Sequence, residues 1–343
     1  MMEVQRLRKL YLAFLMLTLA VLASGCTDGG RGAPPIKSGY NGVNIELEFL
    51  TEEVFSGEKA PALIKISNLG AYDSFIAGII RAEESYMRFS DFEGEKTFIE
   101  KDFLSNNARV MLFQPGMSIE NPYPRTEIET VNFDTVLPLH ITSRQAKADI
   151  DFCYSTGIHV DASLCINPTT DHQRYVDVCK VSDITFSQGQ GSPVSLDKIT
   201  VRQYTENYLG REIVVVDMVF TFSNRGRGNI ERYTDTPRSE ADLFDTCFGL
   251  KKDIFDIFGE TSQHQADDYA RIAIDSFMIG NQEMSSGAFG LGLESNIIKL
   301  DENLLGRVRL RLEKDEPYLA AMNIKMSYIY RQVSSGSVKI MQR

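Results

Sequence analysis

The chain has 343 residues, 47 acidic against 36 basic side chains, a net charge of −11 and five cysteines. A hydrophobic share of 43% is enough to build a core and excludes wholesale disorder. The acidity excludes nucleic acid as a main partner, because phosphate needs a basic footprint, and the length sets a prior of about two domains.

Residues 1–25 read as a signal peptide. Arg6, Arg8 and Lys9 stand against Glu3 alone, and residues 10–23 are apolar apart from Thr18. A spanning helix needs about 20 apolar residues, so this run is short for one, with an uncleaved membrane anchor as the alternative. The run ends in Leu22-Ala23-Ser24-Gly25-Cys26. This resembles the lipobox of prokaryotic lipoproteins, in which a cysteine after small residues takes a lipid and becomes the new N-terminus. It departs from the usual pattern in having Ala23 where leucine is commonest, and Ala23-Ser24-Gly25 would also suit ordinary signal peptidase. Lipidation of Cys26 would leave Cys153, Cys165, Cys179 and Cys247, an even set for disulfides in an exported protein. Cleavage before Cys26 removes three basic residues and one acidic residue, taking the charge from −11 to −13. Residues 26–40, rich in Gly and Pro, read as a flexible tether.

The rest divides into residues 41–186 and 195–343, joined by a Gly- and Ser-rich linker at 187–194. Val43, Ile45, Leu47 and Phe49 alternate with polar residues as a half-buried strand does. A second strand, Ala62-Leu63-Ile64-Lys65-Ile66, runs into Ser67-Asn68-Leu69-Gly70. The second half repeats this order with an extended segment at 199–204, a strand at 213–222 and Ser223-Asn224-Arg225-Gly226. The first half ends in an alternating run at 149–154, Ser155-Thr156-Gly157, and a run at 159–166. The second ends in a run at 322–330, Ser334-Ser335-Gly336, and a run at 338–341. Each half is thus expected to close with a β-hairpin, and the matching order points to duplication. The fold class is all-β, two tandem antiparallel immunoglobulin-like β-sandwiches, with a short helix expected within 239–258 of the second.

Ser67-Asn68-Leu69-Gly70, the Cys153-Tyr154-Ser155-Thr156 to Cys165 segment and Gly189-Gln190-Gly191-Ser192-Pro193-Val194 together resemble a group of archaeal surface proteins. These are built from tandem immunoglobulin-like or CARDB-like sandwiches. The resemblance implies fold and surface location and transfers no activity.

Cys153 and Cys165 flank the first expected hairpin turn, where their Cα atoms would come within the roughly 4.4–6.8 Å a disulfide needs. That pairing, with Cys179 to Cys247, is preferred among the three connectivities four cysteines allow. No C-x-x-C occurs, and His140, His159, His172 and His264 lack ligand spacing, so neither a metal nor a cofactor is expected. No Gly-x-Ser-x-Gly elbow is present, and no catalytic residue is assigned. Residues 287–292 lack the glycine pattern of a phosphate loop, and Asp267-Asp268 and Asp301-Glu302-Asn303 read as solvated turns rather than calcium loops. Arg307, Arg309 and Arg311 alternate with apolar residues, giving either a solvent face paired to acids or a stripe for an anionic glycan or lipid headgroup. Tyr318, Tyr328 and Tyr330 suit either aromatic contact or core. The expected protein is a non-catalytic binding, adhesion or envelope-scaffold module, exported and tethered to the outer face of the cytoplasmic membrane. Its partners would be the membrane and a surface protein or glycan. The alternatives are a transporter's substrate-binding lipoprotein and a secreted hydrolase.

Overall fold

The computed structural model describes residues 39–93 apart from 73, 75 and 84, then 98–99, 108–113, 126–167, 179–231, 243, 246–248, 270–285, 292–313 and 316–343. The signal peptide, most of the tether, and His172 and His264 lie outside these residues. The first half contributes β1 (Val43–Phe49), β2 (Glu53–Phe55), β3 (Lys59–Asn68), β4 (Ile76–Ala82) and β5 (Met87–Glu93). It continues with β6 (Phe98–Ile99), β7 (Ala108–Phe113), β8 (Thr126–Thr135) and β9 (Ser143–Ile166). The second half holds β10 (Ile184–Thr185), β11 (Val194–Tyr208), β12 (Arg211–Asn224), β13 (Asn229–Ile230) and β14 (Arg271–Ile279). It ends with β15 (Gln282–Glu283), β16 (Gly292–Leu293), β17 (Ile297–Lys299), β18 (Leu305–Glu313) and β19 (Tyr318–Met341). The all-β, antiparallel class follows from the period-two burial of these strands, as in β3, where every second residue from Ala60 to Asn68 is buried.

The halves each carry an outer sheet, β1-β3-β8-β5 in the first and β10-β11-β12-β18-β16 in the second. Both sheets lie over one ten-stranded sheet, whose main path runs β15-β14-β19-β9-β4-β7-β6. Its centre is the antiparallel pair β9 and β19, in register from Ser143↔Met341 to Ile166↔Tyr318 without a break. Even-numbered residues along the middle of both strands, Ile150, Phe152, Tyr154, Ile158 and Val160 with Met322, Ile324, Met326, Tyr328 and Tyr330, are buried. They belong to one apolar cluster that also holds Ile45 and Ile64 of the first outer sheet and Val216 and Phe220 of the second. Residues Lys37–Arg343 accordingly form one compact unit.

The two expected hairpins are not formed: β9 and β19 are single strands of 24 residues each. Ser155-Thr156-Gly157 stays extended because its backbone pairs with Ser327–Ile329, and Ser334-Ser335-Gly336 because it pairs with Ala148–Ile150. Turning the chain there would strip those ladder bonds from a buried sheet. The glycines serve close approach instead. A Cβ on Gly157 would lie 3.0 Å from the Met326 carbonyl oxygen, and one on Gly336 2.8 Å from that of Leu47. The short helix is present in the described residues as Leu243 and residues 246–248.

Matching registers relate the two halves. Val43 pairs with Asn68 at the end of β1–β3, and Val194 with Asn224 at the end of β11–β12. Each asparagine then folds the following turn with its side chain. Asn68 Oδ1 accepts from Gly70 N at 3.0 Å and Nδ2 donates to Tyr72 O at 2.8 Å; Asn224 does the same with Gly226 N at 3.0 Å and Gly228 O at 2.7 Å. These are Asx turns, which explains why both sites need Asn and not merely a turn former. Replacing a buried Asn by Ala leaves a backbone donor and acceptor unmet, at about 1–3 kcal/mol. Asn68→Ala and Asn224→Ala are each expected to lower the unfolding free energy by an amount in that range, read from a lower urea midpoint, and midpoints equal to wild type would show the turns are not held this way.

Candidate functional site

Where the halves meet, residues 189–194 of the connector form a buried seam. Gly191 N donates to Gly39 O at 2.9 Å, Ala71 N to Gly191 O at 2.8 Å and Arg225 N to Pro193 O at 2.8 Å. The connector thus bonds the residues entering the first half and both asparagine turns. Its glycines are required by space: a Cβ on Gly189 would lie 2.1 Å from Gly39 O, and Gly191 has φ +80° with Ala71 Cβ 2.3 Å from where its own would be. Gln190 closes the seam, its Oε1 accepting from Leu196 N at 2.9 Å and its Nε2 donating to Leu196 O at 3.2 Å.

Beneath the seam lies a ladder of tyrosines. Tyr154 and Tyr330 are register partners with ring centroids 5.6 Å apart, and Tyr328 packs edge-on to Tyr330 at 6.3 Å. Val194 N donates to the Tyr328 hydroxyl at 3.0 Å, while the Tyr330 hydroxyl donates to Asn224 Oδ1 at 2.8 Å and accepts from Gly228 N at 2.8 Å. Burial raises the Tyr72, Tyr154, Tyr328 and Tyr330 hydroxyls above their ordinary range, so they act as neutral hydrogen-bonding groups. Tyr328 and Tyr330 are therefore core, whereas Tyr318 is exposed.

The opposite face of the shared sheet is polar except at its centre. There Ala77, Ile79, Cys153, Ala273 and Ile329 pack with Leu243 and Cys247 of the helical segment. Cys153 is bonded to Cys247, Cα–Cα 6.4 Å, and Cys165 to Cys179, Cα–Cα 5.7 Å. This replaces the expected pairing of Cys153 with Cys165 and Cys179 with Cys247. With residues 155–157 extended, Cys153 and Cys165 sit on one strand, separated by about 40 Å at 3.3 Å per residue. Beside the first disulfide, Arg331 Nε donates to Asp151 Oδ1 at 2.8 Å and its terminal nitrogen to Oδ2 at 2.5 Å. Glu231 lies 3.5 Å from the same guanidinium, which also stacks over Phe248 at 5.4 Å. The hydrogen bonds to Asp151 raise the Arg331 pKa. No local pattern marks this bidentate pair, because its members are 180 residues apart.

The remaining polar candidates are structural. His159 sits 2.6 Å from Asn323 Nδ2, which also donates to Asp161 at 2.5 Å; His140 is exposed. Asp301 Oδ1 accepts from Asn303 N and Leu305 N at 2.9 and 2.8 Å, closing a turn. Among the described residues no three His, Cys, Asp or Glu side chains converge as a metal site would require. Residues 287–291 and Asp267-Asp268 lie outside the described residues.

Arg307, Arg309 and Arg311 project from the outward face of the second outer sheet. Register places Arg309 beside Asp217, and Asp217 beside Arg202 of β11. Arg307 Nε is 3.8 Å and Arg309 Nε 4.0 Å from Asp217 Oδ1, while Glu294 is 3.5 Å from Arg309 and 3.7 Å from Arg311. Acids on neighbouring strands thus accompany the stripe, as the solvent-face reading expects, but at longer distances than a bidentate contact. Tyr204 and Arg311 flank Val215 on the same face, and Arg311 lies over the Tyr208 ring at 5.8 Å.

No family model and no curated protein matches the chain. Among solved structures, the sixth cohesin of Acetivibrio cellulolyticus scaffoldin B, solved with a dockerin, aligns at 14% identity over 32% of this chain and 85% of its own, TM-score 0.25. Domains D2 and D3 of the major pilin SpaD from Corynebacterium diphtheriae align at 10% identity over 55% and 85%, TM-score 0.23. The C-terminal domain of the Streptococcus pyogenes antigen I/II-family protein AspA aligns at 6% identity over 88% and 100%, TM-score 0.20. At such scores these likenesses carry no argument about what this chain does.

Disulfide mapping of the non-reduced protein is expected to yield linked peptides for Cys153–Cys247 and Cys165–Cys179, and a Cys153–Cys165 peptide would refute the extended β9. Asp151→Ala leaves the half-buried Arg331 guanidinium with only Glu231, 3.5 Å away, and should cost about 1–3 kcal/mol in denaturant unfolding.

Proposed function

We propose that this protein is an exported, membrane-tethered surface lipoprotein whose folded part is a non-catalytic binding or scaffold module. One observation carries the reading. Four of the five cysteines pair with one another inside the folded unit, so Cys26 has no cysteine partner in the chain. An oxidised pair-wise set belongs to an exported protein, and the leftover cysteine follows the small residues that lipid attachment needs. The tether of residues 26–40 then leads to Gly39, which is bound at the seam by the Gly191 bond. The same reading takes 41–186 and 195–343 as duplicated sandwich domains, and keeps the likeness to archaeal surface lipoproteins as its family assignment. The buried tyrosines and the fixed Arg331–Asp151 pair serve packing rather than proton transfer, which favours binding over hydrolysis. A transporter's substrate-binding protein would need a cleft between α/β lobes, and the described residues build antiparallel sheets instead.

Cys26→Ser is expected to move the protein from the membrane fraction to the medium with its two disulfides intact. Intact mass of the wild-type protein should exceed the polypeptide mass after cleavage by that of a lipid. Retention of Cys26→Ser on washed membranes would reject the lipid anchor.

A further inference from the structure

The outward face of β11, β12 and β18 carries a concentration of guanidinium groups that the fold itself does not use. Four arginines lie in adjoining rows of a chain whose net charge is −11. Arg307 is 66% exposed at its side chain, and Arg202 is exposed. Two carboxylates, Asp217 and Glu294, stand among them, and none of their contacts with Arg307, Arg309 or Arg311 is closer than 3.5 Å. Arg309 Nε, Arg311 Nε and Asp217 Oδ1 are buried there without a hydrogen-bond partner. Arg331, by contrast, holds both oxygens of Asp151 at 2.5 and 2.8 Å with Glu231 also 3.5 Å away, and no arginine of this patch has so close a carboxylate contact.

Geometry narrows the ligand. Residues two apart on a strand are separated by about 7 Å, so Arg307, Arg309 and Arg311 offer a row of planar donor forks at regular spacing. Such forks match carboxylate or sulfate oxygens in pairs. Tyr204, 41% exposed, stands in the row of Arg311, and Tyr208 lies against the same guanidinium, adding ring faces for an apolar sugar surface. Glu206 and Glu313 form the next row beyond Tyr204 and Arg311, closing that end to anions. We propose that this face binds an acidic polysaccharide, its uronate or sulfate groups bridging Arg202, Arg307 and Arg309 around Asp217. The charge complementarity of an arginine row with a regularly charged polymer argues for this occupant. The inference rests on the reading of the protein as an exported surface binding module.

The test uses the full chain carrying Cys26→Ser, extracted with detergent if it stays with the membrane. Its binding to polygalacturonate, dextran sulfate, neutral dextran and phosphatidylglycerol vesicles is measured by titration. Saturable binding to one of the acidic polymers is expected, weakened by salt and absent for neutral dextran. Arg202→Gln with Arg307→Gln, both at exposed positions, should reduce affinity at least tenfold, while Arg81→Gln on another sheet should not change it. Asp217→Asn removes the competing anion and should tighten binding. Preference between polygalacturonate and dextran sulfate identifies uronate or sulfate as the recognised group. Absence of binding to both polymers, affinity indifferent to Arg202 and Arg307, or stronger binding to the vesicles would each overturn the proposal. These results leave the tether reading untouched, since that is decided by where Cys26→Ser fractionates.

Discussion

Twenty-four consecutive register pairs between β9 and β19 hold the molecule together, and every other layer is placed by them. All the even positions of both strands face one way, so the ladder supplies a single apolar floor on which both outer sheets rest. A slip of one residue by β19 would turn Arg331 into that floor and bring Tyr328 and Tyr330 out of it. The ladder also sets Tyr154 opposite Tyr330, one tyrosine from each half, with ring centroids 5.6 Å apart.

On this frame, polar groups fall into two regimes. At the seam and on the covered back of the sheet they are closely satisfied: Asn68 and Asn224 saturate their turns, and Arg331 is held by both oxygens of Asp151. Such groups fix geometry, since removing one partner leaves a desolvated remainder. On the outward face of β18, arginines share carboxylates at 3.5–4.0 Å and remain accessible. Pairs of that kind contribute little to stability, so three arginines on β18 with Arg202 of β11 beside them are poorly explained by folding alone.

Much of the fold was legible because period-two alternation is a direct imprint of a half-buried strand. The run at 43–49 carries it without interruption and that at 213–222 from Val216 to Phe222, and the two Ser-Asn-x-Gly turns stand where the strands before them end. What misled was glycine. Gly157, Gly189, Gly191 and Gly336 read as turns or linker by composition, yet each makes room for another backbone or side chain. Close approach between segments far apart in sequence has the same local signature as a bend. The disulfides followed the same error, since the connectivity depended on whether residues 155–157 turned. Arg307, Arg309 and Arg311 were visible as a stripe; their neighbours Arg202 and Glu294 come together only through strand order.

The ladder also sets a schedule. Ile166 leaves the ribosome roughly 150 residues before its partner Tyr318, a delay on the order of ten seconds at ordinary elongation rates. Throughout that interval β9 is a long strand with one edge unpaired and nothing yet made to cover it. Lys147, Asp149, Asp151, His159 and Asp161 alternate along it on the face that stays polar in the finished sheet. Charges at such spacing oppose the stacking of one nascent chain on another. The polar face of β9 thus carries charge along a strand whose partner is made last.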